Sequence, residues 1–273
     1  MIYKVRALKG FHLNGKDGEI GKVKEFYFDD THWTIRYLVA DTGKWLEENQ
    51  VLISPYSLLE INQTEKYVSV DLTKQQIEDS PPLESHEPIS KQFEESYYDY
   101  YKWPVYWTGT YLWGAYPRIE RDPEMRDDDI DRDSESWEPH LRSTHDVSGH
   151  HIEATDGSVG HVDDFLIDDD TWAIRYLIIN THDFWPGKKI LLSPEWIEHI
   201  SWSDAKVFVN LSRETIKNAP KYIENSLLTR EYEEGLHLHY NRKGYWVNEA
   251  IDHEILPKLT TKRNDSDQLK TIH

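Results

Sequence analysis

The sequence predicts a mainly β protein built from two tandem small β-barrels, each followed by a short helix and a helical aromatic arm. Three observations lead there. The stretch Trp33-Thr34-Ile35-Arg36-Tyr37-Leu38 returns 139 residues later as Trp172-Ala173-Ile174-Arg175-Tyr176-Leu177. The same offset carries Asp17-Gly18 onto Asp156-Gly157, Gly21 onto Gly160, Phe26 onto Phe165, Asp29-Asp30 onto Asp168-Asp169 and Ser54-Pro55 onto Ser193-Pro194, with no insertion between. Within each copy, short apolar runs alternate with turn-forming residues, the pattern of a small barrel or sandwich, and the period then changes to a helical one.

In chain order, residues 3 to 8 alternate weakly and lead into the first copy as a strand. Asn14-Gly15-Lys16-Asp17-Gly18 is dense in residues that tolerate positive φ and should turn a hairpin. From Gly18 to Phe28 the apolar residues Ile20, Val23, Phe26 and Phe28 fit a long strand bent at Gly21, as Gly160 would bend its counterpart. The turn Asp29-Asp30-Thr31-His32 precedes the Trp strand, in which Trp33, Ile35, Tyr37 and Val39 should face one way and Thr34, Arg36, Leu38 and Ala40 the other. One face should be buried and the other mixed. Val51-Leu52-Ile53 and Ile190-Leu191-Leu192 stop at Ser-Pro, since proline cannot continue a ladder. Leu58 to Ile61 and Tyr67 to Val70 complete the strands.

Thr73 to Asp79 and Ser212 to Asn218 each start with an N-cap residue and precede a proline, so each should be one short helix. The aromatic arms follow. Phe93 to Tyr101 has early acids and no internal Gly or Pro, which predicts a helix ended by Trp103-Pro104, and 232–240 is its equivalent. The division expected is 1–107 for the first barrel and arm, 108–148 for an aromatic then acidic linker, 149–246 for the second barrel and arm, and 247–273 for a polar tail. Two domains, each with its own small core, suit the length of 273 residues.

Composition excludes several functions. Lys and Arg total 31 against 50 Asp and Glu, a net charge of −19, so the surface repels phosphate backbones and anionic lipid. The expectation is no nucleic acid and no membrane insertion. Aromatic residues make up 13% of the chain, which excludes wholesale disorder despite that charge. The absence of cysteine removes disulfides, thiolate catalysis and cysteine-ligated zinc. The first residues lack the apolar core of a signal peptide and no run approaches a membrane span, so a cytoplasmic protein is expected.

The combination Asp-Gly-x-x-Gly-x-Val before Phe, the Asp-Asp turn, Trp-x-Ile-Arg-Tyr-Leu and the Ser-Pro strand end resembles the PRC-barrel family, named for the photosynthetic reaction centre H subunit. The likeness covers about residues 10–81 and 149–220. The arms, Tyr-Tyr-Lys-Trp-Pro-Val-Tyr-Trp at 100–107 and Tyr-Asn-Arg-Lys-Gly-Tyr-Trp at 240–246, look like those of bacterial two-barrel members. This resemblance implies a six-stranded barrel in each copy and a role in interaction rather than catalysis. The H subunit packs on a membrane complex, and a ribosome-maturation relative binds a ribosomal protein. Repeat two keeps the family-like Trp185-Pro186-Gly187-Lys188-Lys189, where repeat one reads Leu46-Glu47-Glu48-Asn49-Gln50. A surface that depends on those basic residues exists only once.

No phosphate-binding Gly loop, Gly-x-Ser-x-Gly elbow or His-Glu-x-x-His helix occurs, and the expectation is a non-enzyme with no cofactor and no metal. Among the histidines His237-x-His239, His150-His151 and His145 are the metal candidates, but on a helix His237 and His239 point apart and could chelate together only if that segment were extended. Asp129, Asp131 and Asp133 fit the first positions of a calcium loop, but Ser134 and His140 stand where Gly and Glu are needed. Tyr97, Tyr101, Trp103, Tyr106, Trp107 and Trp113 are the candidate interaction surface, since Tyr and Trp anchor protein interfaces. Covering the barrel of the same chain is the competing use, and a homodimer would satisfy both. Arg36 and Arg175, set in apolar strands, either clamp an anion in a cleft between the barrels or pair with the nearby repeated aspartates and fix register.

Overall fold

A computed structural model describes residues 1–43, 45–46, 50–81, 89, 91–103, 105–106, 141–181, 185, 188–224 and 226–247. Repeat one opens with strand β1 (Ile2–Lys4) and a single helical turn, α1 (Val5–Leu8). The opening segment is thus a strand broken by a turn of helix rather than one strand. Six strands follow: β2 (His12–Gly15), β3 (Gly18–Asp29), β4 (Thr34–Asp41), β5 (Gln50–Ile53), β6 (Leu58–Asn62) and β7 (Tyr67–Val70). They form a barrel-like sheet in the order β5-β4-β3-β2-β7-β6, antiparallel except where β2 meets β7. Helices α2 (Lys74–Glu78) and α3 (Lys91–Tyr101) complete the copy.

Repeat two is built the same way, from β8 (Leu141–Ser143), α4 (Thr144–Val147), β9 (His151–Ala154), β10 (Gly157–Asp168), β11 (Ile174–Asn180), β12 (Lys189–Leu192), β13 (Ile197–Ser201), β14 (Lys206–Val209), α5 (Arg213–Asn218) and α6 (Arg230–His239). Leu141–Ser148 is the counterpart of Ile2–Lys9. The unmatched linker therefore ends before residue 141 instead of at 148.

The six strands implied by the resemblance are present in each copy, and each sheet also gains a seventh from the other copy. β1 pairs with β10, placing Ile2 opposite Asp168 and Lys4 opposite Leu166. β8 pairs with β3, placing Leu141 opposite Asp29 and Ser143 opposite Tyr27. The two pairings are related by the repeat offset, so the exchange is reciprocal, as in an isologous dimer interface. Two backbone bonds close the junction: Ile35 N–H donates to the Trp172 carbonyl (2.8 Å) and Ile174 N–H to the Trp33 carbonyl (2.7 Å). Phe28 and Phe165 meet beside them, with ring centroids 5.9 Å apart. One continuous apolar cluster runs from Tyr3 to Tyr240 through both copies, in place of the two separate cores expected from length.

Trp33 and Trp172 occupy equivalent places, but not inside a strand. Each precedes one, with φ of +53° and +57°. For a bulky residue that conformation is sparsely populated and persists only where its surroundings over-determine it. Here the turn aims the Trp carbonyl at the other copy's strand.

The alternation expected along β4 is broken by a bulge. Tyr27 pairs with Tyr37, but Phe28 pairs with Ile35, leaving Arg36 as the extra residue. Arg175 is the extra residue in β11 in the same way, between Leu166–Tyr176 and Ile167–Ile174. A bulge re-aims the side chain it carries. Ile35, Leu38 and Ala40 enter the barrel core, while Tyr37 and Val39 belong to a second cluster on the opposite face. That second face is buried rather than mixed, because α3 lies on it.

Other repeated residues acquire local reasons. Asp17 Oδ1 accepts the Lys74 backbone N–H at the start of α2 (2.9 Å), and Asp156 does the same for Arg213 of α5 (2.7 Å). Thr73 and Gln76 add a capping box. Helix α3 ends at Tyr101 without help from proline: Lys102 takes a φ of +57° and Trp103 N–H reaches back to the Tyr98 carbonyl (3.1 Å). In repeat two, where Lys243 stands in place of Pro104, Asn241 (φ +52°) and the Arg242 N–H to His237 carbonyl bond (2.9 Å) end α6 identically. The stop is a left-handed C-cap.

Gly21 and Gly160 are required by close approach. A Cβ on Gly21 would lie 2.1 Å from the Asp41 carbonyl oxygen, and one on Gly160 2.2 Å from that of Asn180. Gly21→Ala should therefore destabilise the protein by about 3 kcal/mol, since the obstructing atom is backbone within a strand pair. Gly235→Ala should stabilise by up to about 1 kcal/mol, because nothing lies within 4 Å of its added Cβ and the site is helical. Urea unfolding of both variants checks the pair of signs.

Candidate functional site

The feature common to both copies is a buried polar network between the outer face of the barrel and its arm. The bulge in β4 turns Arg36 so that Nη2 donates to Asp29 Oδ2 at 2.8 Å, with both residues buried. His32 Nδ1 lies 2.7 Å from the same oxygen, and Asp29 Oδ1 accepts the Thr31 N–H (2.8 Å). Burial opposes ionisation of Asp29, yet the adjacent Arg36 and His32 outweigh it and hold the carboxyl well below the usual range. The Arg36 guanidinium stacks on Tyr106, its carbon 4.0 Å from the ring centre.

Above this pair sits Glu94 of α3, fully buried. Its Oε1 accepts the hydroxyls of Tyr37 (2.8 Å) and Tyr106 (2.7 Å). Burial pushes the Glu94 carboxyl up to about 7, although the two tyrosine hydrogen bonds and the Arg36 charge pull the other way.

Repeat two rebuilds the network. Arg175 Nη2 donates to Asp168 Oδ2 (3.0 Å) and to Thr171 Oγ1 (3.1 Å), and its guanidinium stacks on Tyr245 at 4.1 Å. Glu233 Oε1 accepts from Tyr176 (3.0 Å) and Tyr245 (2.9 Å), while Oε2 pairs with Arg230 at 3.1 Å. His237 replaces Tyr98. Its Nδ1 faces the Lys243 carbonyl at 2.8 Å, and since a carbonyl only accepts, Nδ1 carries the proton, while Nε2 lies 3.0 Å from the Tyr176 hydroxyl, whose one proton is shared between Glu233 and this nitrogen. Burial raises the Glu233 carboxyl and lowers the His237 imidazole, so both favour their neutral forms.

The arm residues are largely interior. Tyr97 and Tyr106 are buried against their own barrel, so neither presents an interaction surface. The physical reason is that β4 and β5 carry apolar residues outward and need a cover. Tyr101 and Trp103 are partly exposed and stack at 4.4 Å, with Tyr56 beyond them. Trp107 and Trp113 lie outside the described residues, as does the acidic run 127–133. Tyr97 OH donates to the Leu52 carbonyl (2.9 Å) and accepts the Ser54 N–H (3.2 Å). Tyr97→Phe should cost about 1–2 kcal/mol by leaving those buried groups unpaired, measured by denaturant unfolding.

Among the described residues the histidines do not converge. His237 faces the barrel, whereas His239 Nε2 bonds the Thr215 carbonyl at 2.8 Å. Asp168, Asp169 and Asp170 bring carboxylate oxygens within 4.8 Å of one another, but Asp168 is held by Arg175 and Asp169 by the Met1 amino group. Two surface hollows, of about 150 Å³ beside Leu52, Ile77 and Tyr97 and about 380 Å³ beside Lys188, Lys221 and Tyr222, include neither Arg36 nor Arg175 in their walls. In the larger, Lys189 already pairs with Asp163 at 2.7 Å and also with Glu224.

Sequence reasoning missed Glu94 and Glu233, treating the early acids of the arms only as helix-end charges. The signal was the offset itself: each glutamate recurs with both of its tyrosines at the same spacing.

No curated protein matches the chain. A family model described as the PRC-barrel domain matches residues 5–77, which span α1 through α2 of repeat one, the segment that folds as the first barrel-like sheet. Residues 5–77 thus carry a PRC-barrel domain, and repeat two has the same strand order and bulges.

Proposed function

We propose that this protein is a non-enzymatic interaction or scaffold protein of the cytoplasm, built on two PRC-type barrels and self-associating. The observation that carries the reading is the pairing of the repeated arginines. Arg36 and Arg175 are each buried, bonded to an aspartate of their own barrel and covered by an aromatic ring of the arm. That arrangement supports register and packing rather than an anion clamp in a cleft between the barrels. Among the described residues no helix is long and apolar enough to cross a membrane. Among the described arm residues, the exposed Tyr100 and the partly exposed Tyr101 and Trp103 are left for a partner.

The test is affinity purification with quantitative mass spectrometry from the native cell, comparing the natural chain with Tyr100→Ala/Trp103→Ala. The expected result is a discrete set of proteins, or a second copy of this chain, retained by the first and lost by the second. Identical recoveries would reject the arm as the docking surface. Stabilisation on heating by one small anion and not by others, lost with Arg175→Met, would favour a ligand-binding protein instead.

A further inference from the structure

We propose that the junction between the repeats is a self-sufficient recognition surface for the opposite repeat, so that halves of this chain pair one-to-one without a covalent connection and interchange with those of a second copy. This does not depend on the reading of the arms above. Among the described residues the strand contacts that join the halves are reciprocal: β1 laid on β10 and β8 on β3, with the Trp33 and Trp172 carbonyls each taking an N–H from the other copy. These are ladder bonds around a continuous apolar core, as in the interior of a domain.

The connection between the halves is long. Between Tyr106 and Leu141 run 34 residues, acidic in their later part. Extended, such a length spans up to about 110 Å. A tether of this kind sets an effective concentration, in the millimolar range for short flexible linkers and falling with length, which keeps the pairing within one chain at ordinary protein concentrations.

The rim of the junction disfavours a pair of first repeats. Arg6 of repeat one meets Asp163 at 3.3 Å, and Arg142 of repeat two meets Asp30 at 2.9 Å. At the repeat offset, Asp163 corresponds to Lys24 and Arg142 to Tyr3. Two copies of repeat one, paired through the same face, would set Arg6 against Lys24 and lose the ion pair to Asp30. Like charges brought opposite each other are disfavoured. The rim of repeat one therefore selects repeat two, from its own chain or a second one, over another repeat one.

The experiment uses the full chain with a protease site substituted for part of residues 120–135. After cleavage, the halves are expected to travel as one species of unchanged mass by size exclusion with light scattering at micromolar concentration. Their melting temperature should become dependent on concentration, as for any bimolecular fold. Separation into two species would overturn the proposal. Cut chain and an isotopically labelled cut copy, unfolded and refolded together, should give hybrid one-to-one complexes in statistical proportion by native mass spectrometry. Complexes of two first halves, or no hybrids, would overturn it too. Arg6→Glu with Arg142→Glu in the cut chain should release the halves at a concentration where the unaltered pair stays bound, while arm-dependent partner capture by the uncut variant remains. Retention as tight as before would remove the rim as the source of selectivity and sink that part of the inference.

Discussion

Arg36→Met should destabilise the protein by about 3–5 kcal/mol, because it leaves a buried carboxylate without its guanidinium. Asp29 keeps His32 and the Thr31 N–H, but the charge directly opposed to its own is gone. Asp29→Asn in the same chain should recover part of the loss, since an amide needs no counter-charge, and the double-mutant cycle measures the coupling. The variant should also respond differently to acid. A carboxyl whose folded value is depressed contributes stability above its unfolded pKa and loses it as pH falls through the folded one. Arg36→Met should weaken that acid-side loss below about pH 4, where unperturbed aspartates titrate. Partner capture through the arm should survive at temperatures where the variant is folded. A loss under about 1 kcal/mol would show that the pair behaves like an exposed ion pair, contrary to its burial.

Glu94→Gln should flatten the stability of the protein between about pH 4.5 and pH 7, and the sign is opposite to that of Asp29. Because its folded value is raised to about 7, the folded state holds a proton that the unfolded state releases. Its contribution is complete below the unfolded value and is lost as pH rises through the folded one. Across that window the natural chain should lose up to about 3 kcal/mol that the glutamine variant does not. The amide oxygen can still accept from Tyr37 and Tyr106, so the arm stays docked. Urea unfolding at pH 5, 6, 7 and 8 reads the difference between the two chains directly. Parallel curves for the two would mean that Glu94 ionises as an exposed glutamate does.

The architecture was legible because a gapless duplication states every structural position twice. Gly21 with Gly160, and Asp17 with Asp156, could be recognised as structural before any strand was placed. The bulge at Arg36 and Arg175 could not, since one extra residue in a ladder leaves the amino-acid pattern almost unchanged while reversing which side chains face the core. Burial of Tyr97 and Tyr106 was half visible. Their number showed that the arm needed something to cover, and only the apolar outward residues of β4 and β5, Val39 and Leu52 among them, show that the cover is internal. The exchange of β1 and β8 left no trace, because a three-residue strand is too short to display a period and its partner lies in the other repeat.

That exchange also sets an order on synthesis. Ile2 to Lys4 belong against Leu166 to Asp168, which are made more than a hundred and sixty residues later. Until then β1 has no partner strand, and the edge of β3 from Tyr27 to Asp29 stays open until Leu141 to Ser143 emerge. Repeat one can curl around its own six strands early, but it waits with one bare edge and one loose strand. Contacts of such long sequence separation close late and slowly. An open edge is also where foreign strands add. The nascent chain is therefore most exposed to mispairing after repeat one has curled and before repeat two exists, and completion of the second half is what shields the first.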